Sequence, residues 1–218
     1  SGANNGFGTI SETTISYLNL TLPTKEKVIL PSGEFIKDNL TGAVTETKYT
    51  YDGFYNVSKS EINTGYGYKQ TINNYEYINN VSGTGSDYFV GKLTKAQKQQ
   101  IHDGETRNSE ETYTYNGNLL IQTDKKGHNT QAITEKKTYD GFGNVTEVEL
   151  STAGSTNRKL KTAYDANGRF VLKKTDPEGL ETVLAYNNLG QVLVELSPLQ
   201  HGISTQYDNW GKTTKITN

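Results

Sequence analysis

Apolar residues, threonines and tyrosines alternate with polar residues in short runs along the chain, and many of these runs end at a tyrosine. One face of the last three runs carries Leu160, Thr162 and Tyr164, then Thr182, Leu184 and Tyr186, then Ile203, Thr205 and Tyr207. The same alternation occurs near the start, over residues 45–51. A period of two residues is that of a half-buried β-strand. A second strand leaves after each turn, as at residues 192–196, so the pattern predicts β-hairpins.

The turn of each hairpin carries a repeated signature, in which Tyr is followed by Asp or Asn and, four residues after the Tyr, by Gly. The four clear copies have Tyr139, Asp140 and Gly143; Tyr164, Asp165 and Gly168; Tyr186, Asn187 and Gly190; and Tyr207, Asp208 and Gly211. Successive tyrosines are 25, 22 and 21 residues apart. Asp and Asn side chains bond to nearby backbone amides, and Gly adopts a positive φ at little cost, so the segment turns tightly. Four copies with the same Gly offset identify a repeat.

The first half of the chain carries degenerate copies of this signature. Two of them begin at Tyr51, Asp52 and at Tyr115. The first has Tyr55 where Gly is expected, and the second is one residue shorter. The 64 residues between them are about three repeat lengths. We therefore expect one or two eroded units in this interval, around Tyr75 and Tyr88.

The composition favours a sheet without a thick aliphatic core. Hydrophobic residues make up 32% of the chain, which has 15 Tyr and 22 Gly but only 4 Pro. We predict an all-β fold of consecutive antiparallel β-hairpins forming one long, curved or spiralling sheet, in which the Tyr rings form a cross-strand ladder. Residues 1–40 are expected to be a β lead-in, and residues 41–218 the repeat array. Residues 95–101 have helical propensity, but we expect pairing with neighbouring strands to make them a strand.

Charge and absent residue types exclude several classes of function. A formal net charge of −2 and a pI near 6.0 provide no electrostatic footprint for nucleic acid or an anionic membrane. No run of about 18 apolar residues is present to span a membrane, and no signal peptide is evident. The chain has no Cys, which excludes disulfides and thiolate chemistry. It also has no Met, so we interpret it as a segment of a longer protein.

The sequence contains no recognisable catalytic or metal-binding constellation. The three histidines, none of which has metal-ligand spacing, are His102, His128 and His201. No nucleophile elbow or phosphate-binding loop occurs. Asp165 with Asn167, and Asp124 with Gly127, lack the spaced acidic loop of a calcium site and are interpreted as turn residues. We predict no catalytic residue, no cofactor and no metal.

The Tyr-Asp-x-x-Gly units resemble the YD repeats of Rhs proteins, of teneurins and of the B and C components of bacterial toxin complexes. The middle of the chain supports this resemblance. Residues 75–77 and the passage at residues 87–94 are similar to a tyrosine-rich strand and an aromatic-Val-Gly-Arg-Leu-Thr passage in toxin-complex and Salmonella-virulence-type proteins, with Lys92 in place of Arg. The resemblance covers residues 40–218 and is more specific for the repeat than for any one member.

The resemblance implies a structural role in a secreted or cell-surface bacterial protein. In the toxin relatives a shell of such hairpins encloses a C-terminal toxic polypeptide, so the expected partners are the rest of the parent chain and this cargo. A strand residue covers about 3.3 by 4.8 Å, hence 218 residues tile at most ~3,500 Å². A cargo of ~150 residues needs roughly 7,000 Å² of wall. The segment is therefore at most about half a shell, and its free edges favour edge-paired dimers when it is isolated.

Three other interpretations concern exposed residues. Exposed rings such as Trp210 could stack on sugars, which makes a cell-surface adhesion or carbohydrate-binding module the alternative function. Residues 176–180 have the sequence Asp-Pro-Glu-Gly-Leu, which resembles the self-cleavage motif of Rhs cores, but two repeats follow it and we interpret it as a turn. Asn-x-Ser/Thr sequons, which suit either a glycosylated exterior or an Asn turn, occur at Asn19, Asn39, Asn56, Asn80 and Asn144.

Overall fold

The computed structural model describes residues 10–22, 24–65 and 69–218. Its strands are β1 Ser11–Thr21, β2 Lys27–Asp38, β3 Val44–Tyr51, β4 Val57–Thr64, β5 Lys69–Asn80, β6 Phe89–His102, β7 Glu105–Asn116, β8 Leu119–Lys126, β9 Ile133–Tyr139, β10 Val145–Thr152, β11 Arg158–Tyr164, β12 Val171–Thr175, β13 Glu181–Tyr186, β14 Val192–Leu196, β15 Gly202–Tyr207 and β16 Thr213–Thr217. One 3-10 turn, Gly85–Asp87, precedes β6. The helical alternative for residues 95–101 is wrong, because they lie within β6, as predicted.

Neighbouring strands along the chain are hydrogen-bonded to each other within β1–β7 and within β9–β16. The pairs from β1–β2 to β6–β7, and from β9–β10 to β15–β16, are all antiparallel. Consecutive strands can pair in this way because short turns join them. The predicted all-β fold of consecutive antiparallel hairpins is confirmed.

The chain forms two compact units. The first extends to Tyr113 and includes Lys125–Thr130, and its complete strands are 8 to 12 or, for β6, 14 residues long. The second comprises Thr114–Asp124 and Gln131–Asn218, and its strands from β9 onward have 5 to 8 residues. The boundary expected at residue 40 lies in the turn between β2 and β3, within the first unit.

No apolar side chain among the described residues is buried. The buried residues in the described ranges are polar: Thr47 and Ser60, each 7% exposed, and Thr123, which is 5% exposed. The sheet must therefore be stabilised by cross-strand contacts and hydrogen bonds between neighbouring hairpins instead of a central core.

The two faces of the sheet differ in chemistry where β10 pairs with β11. Val148 lies opposite Leu160, and the adjacent pair is Glu149 opposite Lys159. Adjacent pairs point to opposite faces, so one face carries the apolar pair at this point and the other carries the charged pair. Two residues along the first face, Arg158 lies opposite Leu150. The Lys159 ammonium lies 2.8 Å from Glu149 and 2.7 Å from Glu147, so the charges on this face neutralise each other.

A register shift marks the tyrosine end of each repeat hairpin. At Tyr164, for example, Ala163 pairs with Lys173 but Tyr164 pairs with Val171, so one residue of β12 is skipped. Equivalent shifts occur in the hairpins that contain Tyr51, Tyr139, Tyr186 and Tyr207. A bulge increases the local twist and redirects the side chain beside it. The signature tyrosines are therefore directed differently from the strand residues that precede them.

Candidate functional site

The turn that begins at Asp140 illustrates how the signature folds. The Asp140 N–H donates to the Asn144 carbonyl at 3.0 Å, and the Gly143 N–H donates to the Asp140 carbonyl at 3.2 Å. One Asp140 carboxylate oxygen accepts the N–H groups of Phe142 and Asn144, each at 2.9 Å. Gly143 has a φ of 88°, a conformation that L-residues with a side chain adopt only with strain. The geometry of the turn itself therefore explains both the Asp and the Gly of the signature.

The other signature turns repeat this geometry. Asp52, Asn187 and Asp208 each accept the same two backbone N–H groups on one side-chain oxygen, at 2.8 to 3.0 Å. In the degenerate first copy, Tyr55 occupies the Gly position and keeps the required conformation, with a φ of 66°. The sequence departs from the signature at Tyr55, but the backbone does not.

Two turns at the opposite ends of the strands have the same form. Asp176, in the Asp-Pro-Glu-Gly-Leu motif, donates its N–H to the Leu180 carbonyl and accepts the Glu178 and Leu180 N–H groups on its carboxylate. Ser197 closes the next turn at these strand ends in the same way, because its N–H donates to the His201 carbonyl. The motif that resembles a cleavage site is therefore a repeat turn, joining β12 to β13.

Five tyrosines each link their hairpin to the hairpin before it. Five tyrosine hydroxyls donate to backbone carbonyls 15 to 20 residues earlier: Tyr51 to Pro31 at 2.6 Å, Tyr77 to Val57 at 2.9 Å, Tyr139 to Leu120 at 2.6 Å, Tyr164 to Val145 at 3.3 Å, and Tyr207 to Val192 at 3.0 Å. We call these five bonds the tyrosine clasps. The cross-strand contact that recurs is thus a hydroxyl-to-carbonyl bond, whereas the sequence predicted a ladder of rings.

An amide forms a second link at two turns. The Asn144 amide donates to the Gly168 carbonyl of the next turn at 2.7 Å, and the Gln191 amide donates to Gly211 at 2.8 Å. Asn144 also donates to Asp140, whereas Gln191 accepts the amide of Asn187. The first residue of the turn and the residue after its Gly are therefore matched as Asp with Asn, or as Asn with Gln.

The turn hydrogen bonds stabilise the ionised form of the aspartates. For Asp165 the Phe170 N–H is the main cause, and it lowers the pKa of the carboxyl. For Asp52 and Asp140, partial desolvation acts to raise the pKa, but hydrogen bonds from Asn56 and Asn144 respectively outweigh it, so both pKa values are lowered. Ionised carboxylates are the better acceptors for backbone N–H groups, so these turns are tightest when the aspartates are charged.

The remaining predicted candidates are dispersed. The Asp124 carboxylate accepts hydrogen bonds from Gln122 and Thr134, at 2.8 and 2.5 Å. His102 lies 2.9 Å from Asp103, and His128 accepts the Asn108 N–H at 3.3 Å. The part of the chain that the structure describes holds no cluster of three or more His, Cys, Asp or Glu suited to a metal. In the same ranges, no helix is long and apolar enough to cross a bilayer.

A family model named RHS Repeat matches residues 164–199. This span begins at the Tyr164 turn and contains the Asp176 and Tyr186 turns, so the match falls where the signature and its geometry are clearest. Over this span the chain is similar to the RHS repeat. The turns at Asp52, Asp140 and Asp208 lie outside the matched span but close with the same hydrogen bonds.

Solved structures similar to this chain come from toxin complexes. A chain of the Photorhabdus luminescens Tc holotoxin pore with a mutated TccC3 is 12% identical, with a TM-score of 0.46. The chain in the crystal structure of TcdB2-TccC3-Cdc42 is 13% identical, with a TM-score of 0.48. Each match covers 93% of this chain and 11% of the solved one, so the chain spans about a tenth of the length of those solved chains. No curated protein matches the chain.

The structure places an eroded repeat unit at Tyr77, in the interval where one or two such units were expected around Tyr75 and Tyr88. Tyr77, and not Tyr75 or Tyr88, makes the clasp and lies at a register shift. Its Gly equivalent is Gly91, which has a φ of 75° and whose N–H donates to Asn79 at 2.7 Å. The residues between β5 and β6 separate Tyr77 from Gly91, so the four-residue offset is lost. Burial is the main cause that raises the pKa of the Tyr77 hydroxyl.

The sequon asparagines of two signature turns already form hydrogen bonds within the sheet. The Asn56 amide donates to Asp52 at 3.0 Å, and the Asn144 amide donates to both Asp140 and Gly168. A glycan on either amide would disrupt these bonds, so the Asn turn explains these two sequons. Trp210, by contrast, lies at a turn tip with 93% of its surface exposed.

Proposed function

We propose that this RHS-repeat segment is a non-catalytic structural part of a secreted bacterial protein, and that it forms part of a β-shell around a C-terminal toxin or other cargo polypeptide. The observation that carries the proposal is the tyrosine clasp, which joins each of five hairpins to the hairpin before it. A unit that bonds to its predecessor can be added repeatedly in one direction, which is how a continuous wall is extended.

The burial pattern supports a wall. A globular domain buries apolar side chains between layers, whereas here both faces of the sheet remain accessible and no apolar side chain in the described ranges is buried. Where β10 pairs with β11 the faces are chemically distinct, with Val148 and Leu160 on one side and Glu149 and Lys159 on the other. A wall needs this property, because one face meets the cargo and the other meets solvent.

The chemistry of the signature residues supports a non-catalytic role. The carboxylates of Asp52, Asp140 and Asp208 accept backbone N–H groups within their own turns. The tyrosine hydroxyls of the clasps donate to backbone carbonyls. Groups committed in this way maintain the turn and are not positioned to act on a substrate. The partner of the segment is then the rest of its parent chain, because 218 residues tile at most about half of a cargo-sized shell.

The test uses the complete parent protein. Proteinase K is added to the native protein, and the survival of the region C-terminal to the repeats is followed by immunoblotting and mass spectrometry. We expect this region to survive in the native protein and to be degraded once the shell is opened in urea. A variant with Tyr139→Phe, Tyr164→Phe and Tyr207→Phe, which removes three clasps, is expected to lose protection at lower urea concentration. Equal digestion rates for the C-terminal region in the native protein and when expressed alone would rule out enclosure.

A further inference from the structure

His128 fastens the loop that follows β8 to the edge of β7. It lies two residues beyond the end of β8, in the segment Lys125–Thr130, which belongs to the first unit. Its Nδ1 accepts the backbone N–H of Asn108 at 3.3 Å. The loop is also closed on itself, because the Gly127 N–H donates to the Thr130 hydroxyl at 3.0 Å. We call the bond between His128 and Asn108 the histidine latch.

The latch occupies a position that a further strand could fill. Asn108 lies opposite Gln99 of β6, and the next residue, Ser109, lies opposite Lys98. Successive residues of an antiparallel strand direct their N–H groups to opposite sides. The Asn108 N–H bonds to the imidazole and therefore points away from β6, whereas the Ser109 N–H points toward β6. The ring thus provides the acceptor that the backbone carbonyl of another strand would provide.

The latch requires a neutral imidazole. Nδ1 can accept a hydrogen bond only while it carries no hydrogen, so in the neutral ring the hydrogen is on Nε2. The Asn129 amide lies 3.1 Å from Nε2 and must present its oxygen to it. A protonated ring carries hydrogens on both nitrogens, so Nδ1–H would face the Asn108 N–H. Two donors cannot bond to each other, and the latch is then lost.

The charged side chains beside the ring do not favour its protonation. Those that line the two grooves next to His128 are Lys98, Glu105, Arg107, Glu110 and Lys126. The Glu110 carboxylate lies 3.1 Å from the Lys95 ammonium and accepts the Gln97 amide at 2.8 Å. Glu105 lies 3.6 Å from the Arg107 guanidinium. Both carboxylates are therefore paired with their own cations, and the two lysines of the grooves add positive charge that repels an imidazolium.

We propose that the histidine latch is a pH-dependent switch, which is closed at neutral pH and opens when His128 is protonated. Histidine is the side chain that ordinarily changes its charge between pH 5 and 8, and both His128 and Asn108 are exposed to solvent. The bond is present above the transition and is lost as pH falls through it, because only the neutral ring accepts. Opening releases the loop and leaves the Asn108 N–H at a strand edge, where another strand can bond.

The proposal does not depend on the shell function, because every group in the latch belongs to the first unit. The test measures amide hydrogen exchange by NMR on the isotope-labelled 218-residue chain, at pH 7.5 and pH 5.5. Each rate is divided by the intrinsic rate at the same pH to give a protection factor. Protection of the Asn108 amide should fall by about 5-fold on acidification, the effect of one hydrogen bond. The Ser109 amide is the internal reference and should not change, and the unfolding temperature should stay nearly constant.

Three variants separate the latch from other effects of acid. His128→Gln supplies an acceptor oxygen that does not titrate, so it should keep the protection of Asn108 at both pH values. His128→Ala should show low protection at both. His201→Gln is the matched control and should keep the wild-type response, because His201 lies in the second unit, in the turn between β14 and β15.

Four results would overturn the proposal. The first is protection of Asn108 that does not depend on pH in the wild-type chain, and the second is wild-type protection in His128→Ala. The third is a pH response that persists in His128→Gln, because a group other than the imidazole would then control the bond. The fourth is an equal loss of protection at Ser109, which would show that acid frays β7 itself.

Discussion

Removing a single clasp hydroxyl tests how the repeats are joined. In Tyr139→Phe the ring and its packing are retained, and only the 2.6 Å bond from the hydroxyl to the Leu120 carbonyl is lost. Tyr139 is half-buried, so water can reach the released carbonyl only in part. A neutral hydrogen bond contributes about 0.5–1.5 kcal/mol net, and an unsatisfied acceptor moves the cost toward the upper end of that range. We therefore expect Tyr139→Phe to destabilise the second unit by about 1 kcal/mol.

The measurement is the free energy of unfolding from urea titrations followed by circular dichroism, with thermal melts alongside. For a chain of 150–250 residues, a loss of 1 kcal/mol corresponds to a fall of about 2–4 °C in Tm. Tyr186→Phe is the matched control, because its hydroxyl bonds to no described residue and its ring stacks on Phe170. The control should stay within about 0.5 kcal/mol of wild type. Equal destabilisation by the two changes, or none by Tyr139→Phe, would refute the clasp as a structural link.

Four further changes test the turns. Acidification from pH 7 to 5 should leave Tm, followed by circular dichroism, nearly constant. The turn aspartates have lowered folded pKa values, so the stability they contribute is present above their unfolded value of about 3.9 and is lost as pH falls through the folded values. Asp140→Asn should lower Tm by a few degrees because its amide then faces the Asn144 amide, and adding Asn144→Gln should restore Tm by reproducing the pairing of a neutral turn. In calorimetric melts, Tyr55→Gly should stabilise the chain by about 1 kcal/mol, because it relieves the strain of a φ of 66°. Gly190→Ala should lower the stability by more than about 1 kcal/mol, because Gly190 has a φ of 83° and its Cβ would meet the Phe170 ring.

Each of these predictions has a control variant or a result that would contradict it. A Tm that falls steadily between pH 7 and 5 would show that groups other than the turn aspartates dominate the pH dependence. If adding Asn144→Gln to the Asp140→Asn variant did not raise Tm, the proposed matching of these two residues would be wrong. Gly141→Ala is the control for backbone strain, because Gly141 lacks a positive φ and a Cβ there would meet open space. It should change stability by less than about 0.5 kcal/mol.

The sequence alone determined the elements and their turns. Alternation with a period of two, broken by Tyr-Asp-x-x-Gly, predicted the hairpins because both features depend on neighbouring residues. Asp140 bonds to amides two and four residues away, and the φ of Gly143 is a property of that residue. Even at Tyr55, where the signature fails, the hairpin on either side imposes the same conformation.

Only the tertiary structure decided what each tyrosine does. Whether a hydroxyl reaches a carbonyl 15 to 20 residues away depends on the strand register and on the bulge beside the tyrosine, and neither is encoded in the tyrosine itself. For this reason Tyr77 makes a clasp that the spacing did not predict. The Asp165 turn likewise closes one residue later than the Asp140 turn, which moved Phe170 onto Gly190 and left the Tyr186 hydroxyl without a partner among the described residues.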